Sequence, residues 1–304
     1  MDSFDPVTRQ GLEITNLFWL ELIISALLLA LVVGWLALAL LRYRARPGDA
    51  GEPAQVHGNT RLEIIWTSIP VLVLAVVFVL VVQTMRSVDA AEPDAQRLEV
   101  IGHQWWWEFR YPDLGVVTAN EVSVPLGSSL LISLDSEDVI HSLWVPRFGL
   151  MRDAIPGKTN YMTIRVDRPG AHDGACTQYC GLQHAWMRER IIGEPRDRFD
   201  AWIAQQQLAA SSSGSAGEGV FLQNTCVNCH AIRGLAAQAQ VGPDLTHLAS
   251  RSTIGAGVLA NTPANLRDWI RNAQAIKPGV LMPAYPNLSE EELGALVDFL
   301  GSLR

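Results

Sequence analysis

Two tight groups of sulfur and nitrogen ligands carry the chemistry of this chain. The first is Cys176-Thr-Gln178-Tyr-Cys180-Gly-Leu-Gln-His184-Ala-Trp-Met187, which presents two thiols, an imidazole and a thioether within twelve residues. Soft sulfur with imidazole selects copper, zinc or iron over magnesium or calcium. The thioether disfavours structural zinc, whose sites use Cys, His and carboxylates, whereas copper accepts Met as a weak axial ligand. A second imidazole is available from His141, in Asp138-Val-Ile-His141-Ser-Leu-Trp144. The plain alternatives are a Cys-x3-Cys disulfide and an ordinary polar His141, and the complete string argues against both. The second group is Cys226-Val-Asn-Cys229-His230, a c-type haem attachment motif in which two thiols add to the haem vinyl groups and the adjacent His binds iron. Elimination gives the sixth iron ligand. Met282, in Leu281-Met282-Pro283-Ala284-Tyr285, is the one methionine after Cys226, and His247 is the one other imidazole there. Methionine opposite histidine raises the potential, as in electron-carrying cytochromes c, and Met282 is the expected ligand. These assignments use all four cysteines of the chain.

The elements that must hold these groups follow from composition. The chain has 304 residues, 49% hydrophobic and 18% charged; a charged fraction of about 25% is usual for soluble domains. Disorder and a disulfide-dense scaffold are excluded. A net charge of −8 without a basic cluster argues against nucleic acid as a partner. The apolar excess sits at the front. Leu22 to Leu41 and Ile64 to Val82 carry no charge, and ~20 apolar residues in a helix span a bilayer. Arg42, Arg44, Arg46 and Arg61 lie between the two runs, which places that loop in the cytoplasm and both outer ends outside. The basic residues follow the first run, unlike a standard signal peptide, and the cleavage-like Ala37-Leu38-Ala39 lies inside it.

Beyond the spans, Glu121 to Val124, Ser129 to Leu134 and Tyr161 to Val166 alternate or run apolar, punctuated by Pro125, Gly127, Pro156-Gly157 and Pro169-Gly170. Short strands at this spacing predict a β sandwich or barrel, with helix returning only after Pro195. Residues 211–217, Ser-Ser-Ser-Gly-Ser-Ala-Gly, read as a flexible linker. After it, Thr262-Pro263 opens a helix that ends before Pro278, and Ser289-x-x-Glu292 is a capping box before Leu293, Leu296, Val297 and Leu300 at helical spacing. Residues 1–83, 84–210 and 211–304 carry net charges of −2, −5 and −1. The last value lacks the basic excess that steers a diffusing partner.

The Cys176–Met187 string resembles the dinuclear copper (CuA) loop of cytochrome c oxidase subunit II. The resemblance implies that Cys176 and Cys180 bridge two coppers, that His141 and His184 each hold one, and that Met187 and the backbone carbonyl of Gln178 are the weak ligands. Gly102-His103-Gln104-Trp105-Trp106-Trp107 resembles the aromatic segment where electrons enter the copper domain. Trp105, with Trp106 beside it, is the expected contact, and Trp107 is expected to pack in the core of the same strand. Leu62-Glu63-Ile64-Ile65-Trp66-Thr67-Ser68-Ile69-Pro70 resembles the segment whose Glu stands at the mouth of a proton path in subunit I; Glu63 as a plain interfacial carboxylate is the equal alternative. Gly242-Pro243-Asp244-Leu245 resembles the loop whose Pro carbonyl accepts from the haem-bound His. One position departs from the pattern. The family commonly has Glu between the two cysteines, helping to hold Mg2+ near subunit I, and here the residue is Gln178. A neutral amide is a weaker partner for a hard cation, which puts the magnesium site in question and leaves the copper role, made through the backbone, intact.

The order of parts resembles subunit II of a caa-type haem-copper oxidase, in which a cytochrome c domain is fused behind the copper domain. The resemblance implies a multi-domain chain. It comprises a transmembrane hairpin over 1–90 (spans about 17–41 and 64–83) and a cupredoxin-like all-β Greek-key barrel over 91–210. The linker at 211–217 follows, then a small all-α class I cytochrome c over 218–304. It also implies an electron-transfer role in a proton-pumping complex of the bacterial plasma membrane, both redox domains lying outside. Electrons would come from a donor such as a cytochrome c or a bc complex, pass haem c and CuA, and go on to subunit I, where oxygen is reduced; subunit III is a further expected partner. A flexible linker would raise the effective concentration of the fused domain to ~mM. The alternatives are the CuA subunit of a nitric oxide reductase and a membrane-anchored copper chaperone. The chaperone reading fits poorly, because Gly181 stands where such proteins have Pro after the second cysteine.

Overall fold

The structure is a computed structural model that describes residues 3–44, 48, 51–52, 55, 57–90, 92–211 and 214–304. Arg46, counted in the loop charge, and Ser212 and Ser213 of the linker lie outside the described residues. The chain divides into two compact units: one is Leu12–Ala90, and the other joins the residues up to Gly11 with Ala91–Arg304.

The smaller unit holds two long helices, α1 (Arg9–Arg42) and α2 (Thr60–Val88). At 1.5 Å per residue they are roughly 51 and 44 Å long, more than the ~30 Å of a bilayer core. Both extend beyond the apolar runs expected to span. Their leucines, valines and isoleucines are exposed on all sides, as on Leu29, Leu38, Val71 and Leu74. A helix apolar all round needs an apolar solvent. Asn59 caps α2, its side chain accepting from the N–H groups of Arg61 (3.1 Å) and Leu62 (3.3 Å).

The larger unit opens with residues 3–11, which the sequence places with the hairpin but which pack against the β domain. Val7 N donates to Arg147 O and Asp167 N donates to Val7 O. The Thr8 hydroxyl donates to Phe148 O at 2.7 Å. The β domain has ten strands: β1 (Gln96–His103), β2 (Trp106–Tyr111), β3 (Val116–Ala119), β4 (Glu121–Pro125), β5 (Ser129–Ser136), β6 (His141–Trp144), β7 (Met151–Ala154), β8 (Asn160–Arg165), β9 (Gly170–Ala175) and β10 (Arg188–Glu194). One sheet has the order β3-β2-β1-β5-β8, a second the order β4-β10-β9, and β6 pairs with β7. The β1–β5 and β10–β4 pairs are parallel, so the chain must cross between sheets, as in Greek-key folds. Alternation buries Leu98 and Val100 of β1 and Leu130, Ile132 and Leu134 of β5 against Val122, Val124 and Ile191 of the facing sheet. This is the expected cupredoxin-like all-β architecture. The tryptophan segment differs from expectation: Trp105 sits in the turn after β1, and only Trp106 and Trp107 are on a strand.

α3 (Arg196–Gln206) follows Pro195 and packs Phe199 and Ile203 into the β core. The C-terminal part is helical, with α4 (Ala216–Gln223), α5 (Pro263–Ile276) and α6 (Glu290–Ser302). Two small hairpins, β11 (Ala231–Ile232) with β12 (Ala237–Gln238) and β13 (Thr253–Ile254) with β14 (Leu259–Ala260), interrupt them. Ala216 and Gly217, expected in the linker, form the first turn of α4, because the Ser215 hydroxyl accepts from Glu218 N and caps the helix. The capping box at Ser289 and Glu292 is present. Phe221, Leu266, Ile270, Leu293, Leu296 and Leu300 form this part's own core.

Candidate metal centres

The loop between β9 and β10 carries the first ligand group and is closed at its base. Cys176 N donates to Met187 O at 2.9 Å, continuing the β9–β10 ladder by one rung. Thr177 N donates to Ser142 O and so ties the loop to β6, whose first residue is His141. Inside the loop Gly181 adopts φ +115°, and a side chain there would meet the Trp105 ring at 3.0 Å. Both facts favour glycine at this position.

All the sequence-predicted ligands of this loop converge. Cys176 Sγ and Cys180 Sγ are 3.9 Å apart, and neither cysteine is in a disulfide. A disulfide would need ~2.05 Å, whereas two sulfurs sharing one ion with bonds of ~2.3 Å stand at most ~4.6 Å apart. The observed spacing therefore fits shared metal. His141 Nδ1 lies 3.9 Å from Cys176 Sγ, and His184 Nδ1 lies 3.7 Å from Cys180 Sγ. Met187 Sδ is 4.0 Å from Cys180 Sγ, and the Gln178 carbonyl is 3.2 Å from Cys176 Sγ. Each thiol thus has one imidazole and one weak donor at its side, a pairwise arrangement suited to two metal ions. The ligand atoms of His141, Cys176 and Cys180 lie within 4.8 Å of one another. The Gln178 side chain is exposed, so only its backbone faces the cluster.

The electrostatics favour an anionic sulfur. The Cys176 thiol is pulled well below its ordinary range, first by the Cys180 thiol and, against burial, by His141 and the backbone; the resulting charge pushes Cys180 up. Burial lowers His141, but Asp138 and Cys176 outweigh it and raise the imidazole above its ordinary value. Asp138, whose role sequence reasoning missed, bonds His141 Nε2 at 2.8 Å and also accepts from Gln104 N at 2.6 Å. The carboxylate three residues before the histidine was the readable signal. It leaves Nδ1 aimed at the cluster, as a carboxylate behind a ligating histidine does.

The second group surrounds an apolar cavity in the C-terminal part. Residues 225–228 make one 3-10 turn, and the N–H groups of Cys229 and His230 both donate to Cys226 O. That turn puts Cys226, Cys229 and His230 on the cavity wall, with Met282, Leu266, Trp269 and Leu300 also lining it. His230 Nδ1 donates to Pro243 O at 2.7 Å, as the sequence pattern predicts. Burial lowers the His230 pKa, which favours the neutral imidazole that a metal ion takes. Gly242 lies flat against this ring, where a side chain would come within 2.8 Å of it. His247 is not among the lining residues; its Nε2 contacts the carbonyls of Gln206 and Leu208 at 3.1 Å. The lining also holds Arg251, which sequence reasoning missed. It is half-buried, its pKa is pushed down by desolvation, and its Nε has no partner. Its Nη2 donates to Asp244 O, and the cationic group with a spare N–H on the wall of a largely apolar cavity fits the carboxylates that a haem carries.

The two centres meet at the tryptophans. Trp105 and Trp106 line the same cavity. Trp105 Nε1 donates to Cys180 O at 2.9 Å, and Gln104 Nε2 donates to the same oxygen at 2.7 Å. Trp106 stacks on His103, ring centroids 4.1 Å apart, and packs against Ala256. Trp107 is fully buried in the β core, as expected. Glu63 lies exposed in the first turn of α2, its N–H donating to Asn59 O.

Comparison with known proteins accounts for all three parts. The model of the cytochrome c oxidase subunit II transmembrane domain matches residues 5–84, that of its periplasmic domain residues 115–192, and that of cytochrome c residues 214–304. The chain is 37% identical to cytochrome c oxidase subunit 2 of Alkalihalophilus pseudofirmus over its full length and 91% of that protein. It is 34% identical to the corresponding protein of Bacillus sp. (strain PS3), over 86% of this chain and 80% of that one. Among solved structures, the periplasmic domain of subunit II of cytochrome oxidase of Bradyrhizobium japonicum is 27% identical with a TM-score of 0.37, covering 38% of this chain and 96% of that one. The periplasmic domain implies a dinuclear copper centre and the cytochrome domain a haem, and the donor sets described above fit both. The chain belongs to the cytochrome c oxidase subunit II family, as a membrane-anchored member with a cytochrome c domain at its C-terminal end.

Proposed function

We propose that this chain is the electron-transfer subunit of a proton-pumping cytochrome c oxidase in a bacterial plasma membrane. It takes electrons from an external donor at its cytochrome domain and passes them through Trp105 to the copper loop, and from there to subunit I, where oxygen is reduced. One observation carries the reading: the cavity walled by Cys226, Cys229, His230 and Met282 is also walled by Trp105, whose indole is bonded to the main chain of Cys180.

When bound, haem and the copper pair supply two one-electron carriers of tunable potential. The chain's own residues hold and insulate them. Cys226 and Cys229 would tether the haem, and His230, oriented by Pro243, and Met282 would hold its iron. Cys176, Cys180, His141 and His184 would hold the copper pair, with Met187 and the Gln178 carbonyl as the weak donors. Asp138 fixes His141, and Trp107 packs edge-on against the same ring from the core side. The packing of residues 3–11 on the β domain supports a hairpin with both outer ends on one side, outside the cytoplasm. Glu63, at the start of α2, is positioned by sequence at the boundary where a proton path in subunit I would open.

Electron paramagnetic resonance of the purified complex tests the centre. The expected signal is a mixed-valence spectrum with hyperfine coupling to two copper nuclei, accompanied by an optical haem c band. A single-copper spectrum would exclude the bridged pair. Turnover of nitric oxide without turnover of oxygen would assign the chain to a nitric oxide reductase instead.

A further inference from the structure

Cations in this chain are almost all arginine. Lysine occurs twice, at Lys158 and Lys277. Lys158 is exposed, whereas Lys277 is 1% exposed. Lys277 directly follows α5, just ahead of the Met282 loop, and its Nζ donates to two carbonyls. One belongs to Gly255 of the cytochrome domain (3.2 Å), the other to Trp105 of the copper domain (3.3 Å). Burying an ammonium group is costly unless it is bonded, so its place between the two cofactor domains requires an explanation.

A second buried polar contact lies on the same seam. Both carboxyl oxygens of Glu121, at the start of β4, accept from the backbone N–H of Ser252 (2.9 Å) and of Thr253 (2.7 Å) and from both hydroxyls. Glu121 is 6% exposed and stands 131 positions before Ser252 in the chain. Between these two clasps the main chains touch directly: Arg188 N, one residue past Met187, donates to Ala256 O at 3.3 Å. Gly279, beyond Lys277, packs on Leu182 of the copper loop, where even a Cβ would stand 3.1 Å from Cδ1.

We propose that Glu121 and Lys277 are positioning residues that seat the cytochrome domain in one fixed pose over Trp105, so that electrons cross between the two centres without a domain movement and the Trp105–Trp106 face is closed to an outside cytochrome. The inference rests on the electron route proposed above. The transfer itself oxidises the haem and reduces the copper pair by one electron, with no bond made or broken, so geometry alone sets the requirement on the protein. A serine- and glycine-rich linker permits a domain that swings; a clasp with four donors on one carboxyl and a desolvated amine bridging two main chains favours one that does not.

The scarcity of lysine makes the seat measurable in the intact complex. An amine-reactive reagent, followed by mass spectrometry of the two lysine-bearing peptides, is expected to label Lys277 at least about tenfold more slowly than Lys158, since reaction must wait for local opening. Glu121→Gln and, as a milder change, Ser252→Ala are expected to raise Lys277 labelling and leave Lys158 labelling and the haem c band unchanged. In parallel, the rate at which photoreduced haem passes its electron to copper is expected to be independent of solvent viscosity in the wild type and to fall with viscosity in both variants. Equal labelling of the two lysines in the wild type, a wild-type rate that scales with viscosity, or variants that leave labelling and viscosity dependence unchanged would each overturn the proposal. Failure of the haem to reduce copper at all would defeat the electron route, and the labelling ratio still reads the clasp in that case.

Discussion

Trp105 Nε1 donates a 2.9 Å hydrogen bond to the carbonyl oxygen of Cys180, so the indole on the wall of the haem cavity is joined to the main chain of a copper-loop cysteine. Gln104 Nε2 donates to the same oxygen at 2.7 Å. The two bonds separate structure from electron transfer. Trp105→Phe removes the indole donor and leaves the Cys180 carbonyl paired through Gln104. The copper resonance spectrum should therefore be unchanged, while the haem-to-copper transfer rate should fall about tenfold, equivalent to ~1.4 kcal/mol in the barrier. Flash reduction of the haem measures the rate. An unchanged rate would remove Trp105 from the path.

Gly242 is the next position where geometry dictates residue type. A Cβ there would stand 2.8 Å from His230 Cε1 and 3.0 Å from Nδ1, the atom bonded to Pro243 O. Gly242→Ala must push the imidazole or the loop aside, at a cost of about 1–3 kcal/mol for overpacking. The expected result is a lower thermal midpoint of the cytochrome domain and a weakened iron–histidine bond, with covalent haem content unaltered because Cys226 and Cys229 are untouched. Differential scanning calorimetry and the haem optical spectrum check both parts.

The cofactor ligands were legible in the sequence because their spacing is local. Cys226, Cys229 and His230 fit on a single helical turn, and Cys176 to Met187 form one loop between two strands, so twelve residues of sequence hold most of each set. The apolar patterns of β4, β5 and β8, the Pro195 boundary and the Ser289 capping box are likewise short-range patterns, and the structure contains each. What was not legible is long-range. Glu121 reaches Ser252, and Lys277 reaches Trp105, across 131 and 172 residues, and no periodicity marks such a pair. The same limit hid the packing of Val7 and Thr8 against the β domain. Gly102-His103-Gln104 holds no Pro or Asn-Gly turn signal, so nothing in the sequence separates Trp105 from the strand, although the chain reverses there. The start of α4 inside the Ser-Gly stretch shows composition yielding to a cap: Ser215 is a linker residue by type and an N-cap by position.

Methionine ligation has its own test. Met282 lines the haem cavity, and Gln274 Nε2, donating to Met282 O at 3.1 Å, holds its loop. His247 is committed elsewhere, to the carbonyls of Gln206 and Leu208. Met282→His should lower the haem potential on the order of 0.1 V or more, within the ~0.8 V range that axial ligands span. His247→Ala should leave the potential and the optical bands as they are. Potentiometric titration of the purified complex distinguishes the two, and a potential shift in the His247 variant alone would reverse the assignment.

Lys277 gives the seam between the domains a definite pH dependence. Burial, the largest cause, pulls its pKa from 10.5 to about 8; the Arg188 guanidinium pushes the same way, and the Cys180 thiol opposes. The folded protein therefore holds fewer protons at this group than the unfolded chain does between pH 8 and 10.5. Stability rises with pH wherever the unfolded state binds more protons, so the seam should strengthen as pH climbs through that window. Below pH 8 both states are protonated and the burial cost stays constant. The gap between about 8 and 10.5 corresponds to ~3 kcal/mol when fully traversed. A neutral Lys277 amine still donates to the Trp105 and Gly255 carbonyls, so deprotonation relieves the charge without breaking the bridge. Comparing thermal unfolding of the wild type with Lys277→Met at pH 7.5 and pH 9.5 cancels the titration of every shared group. The wild type should gain on the variant as pH rises; a constant or shrinking difference would show that Lys277 is solvated in the folded protein.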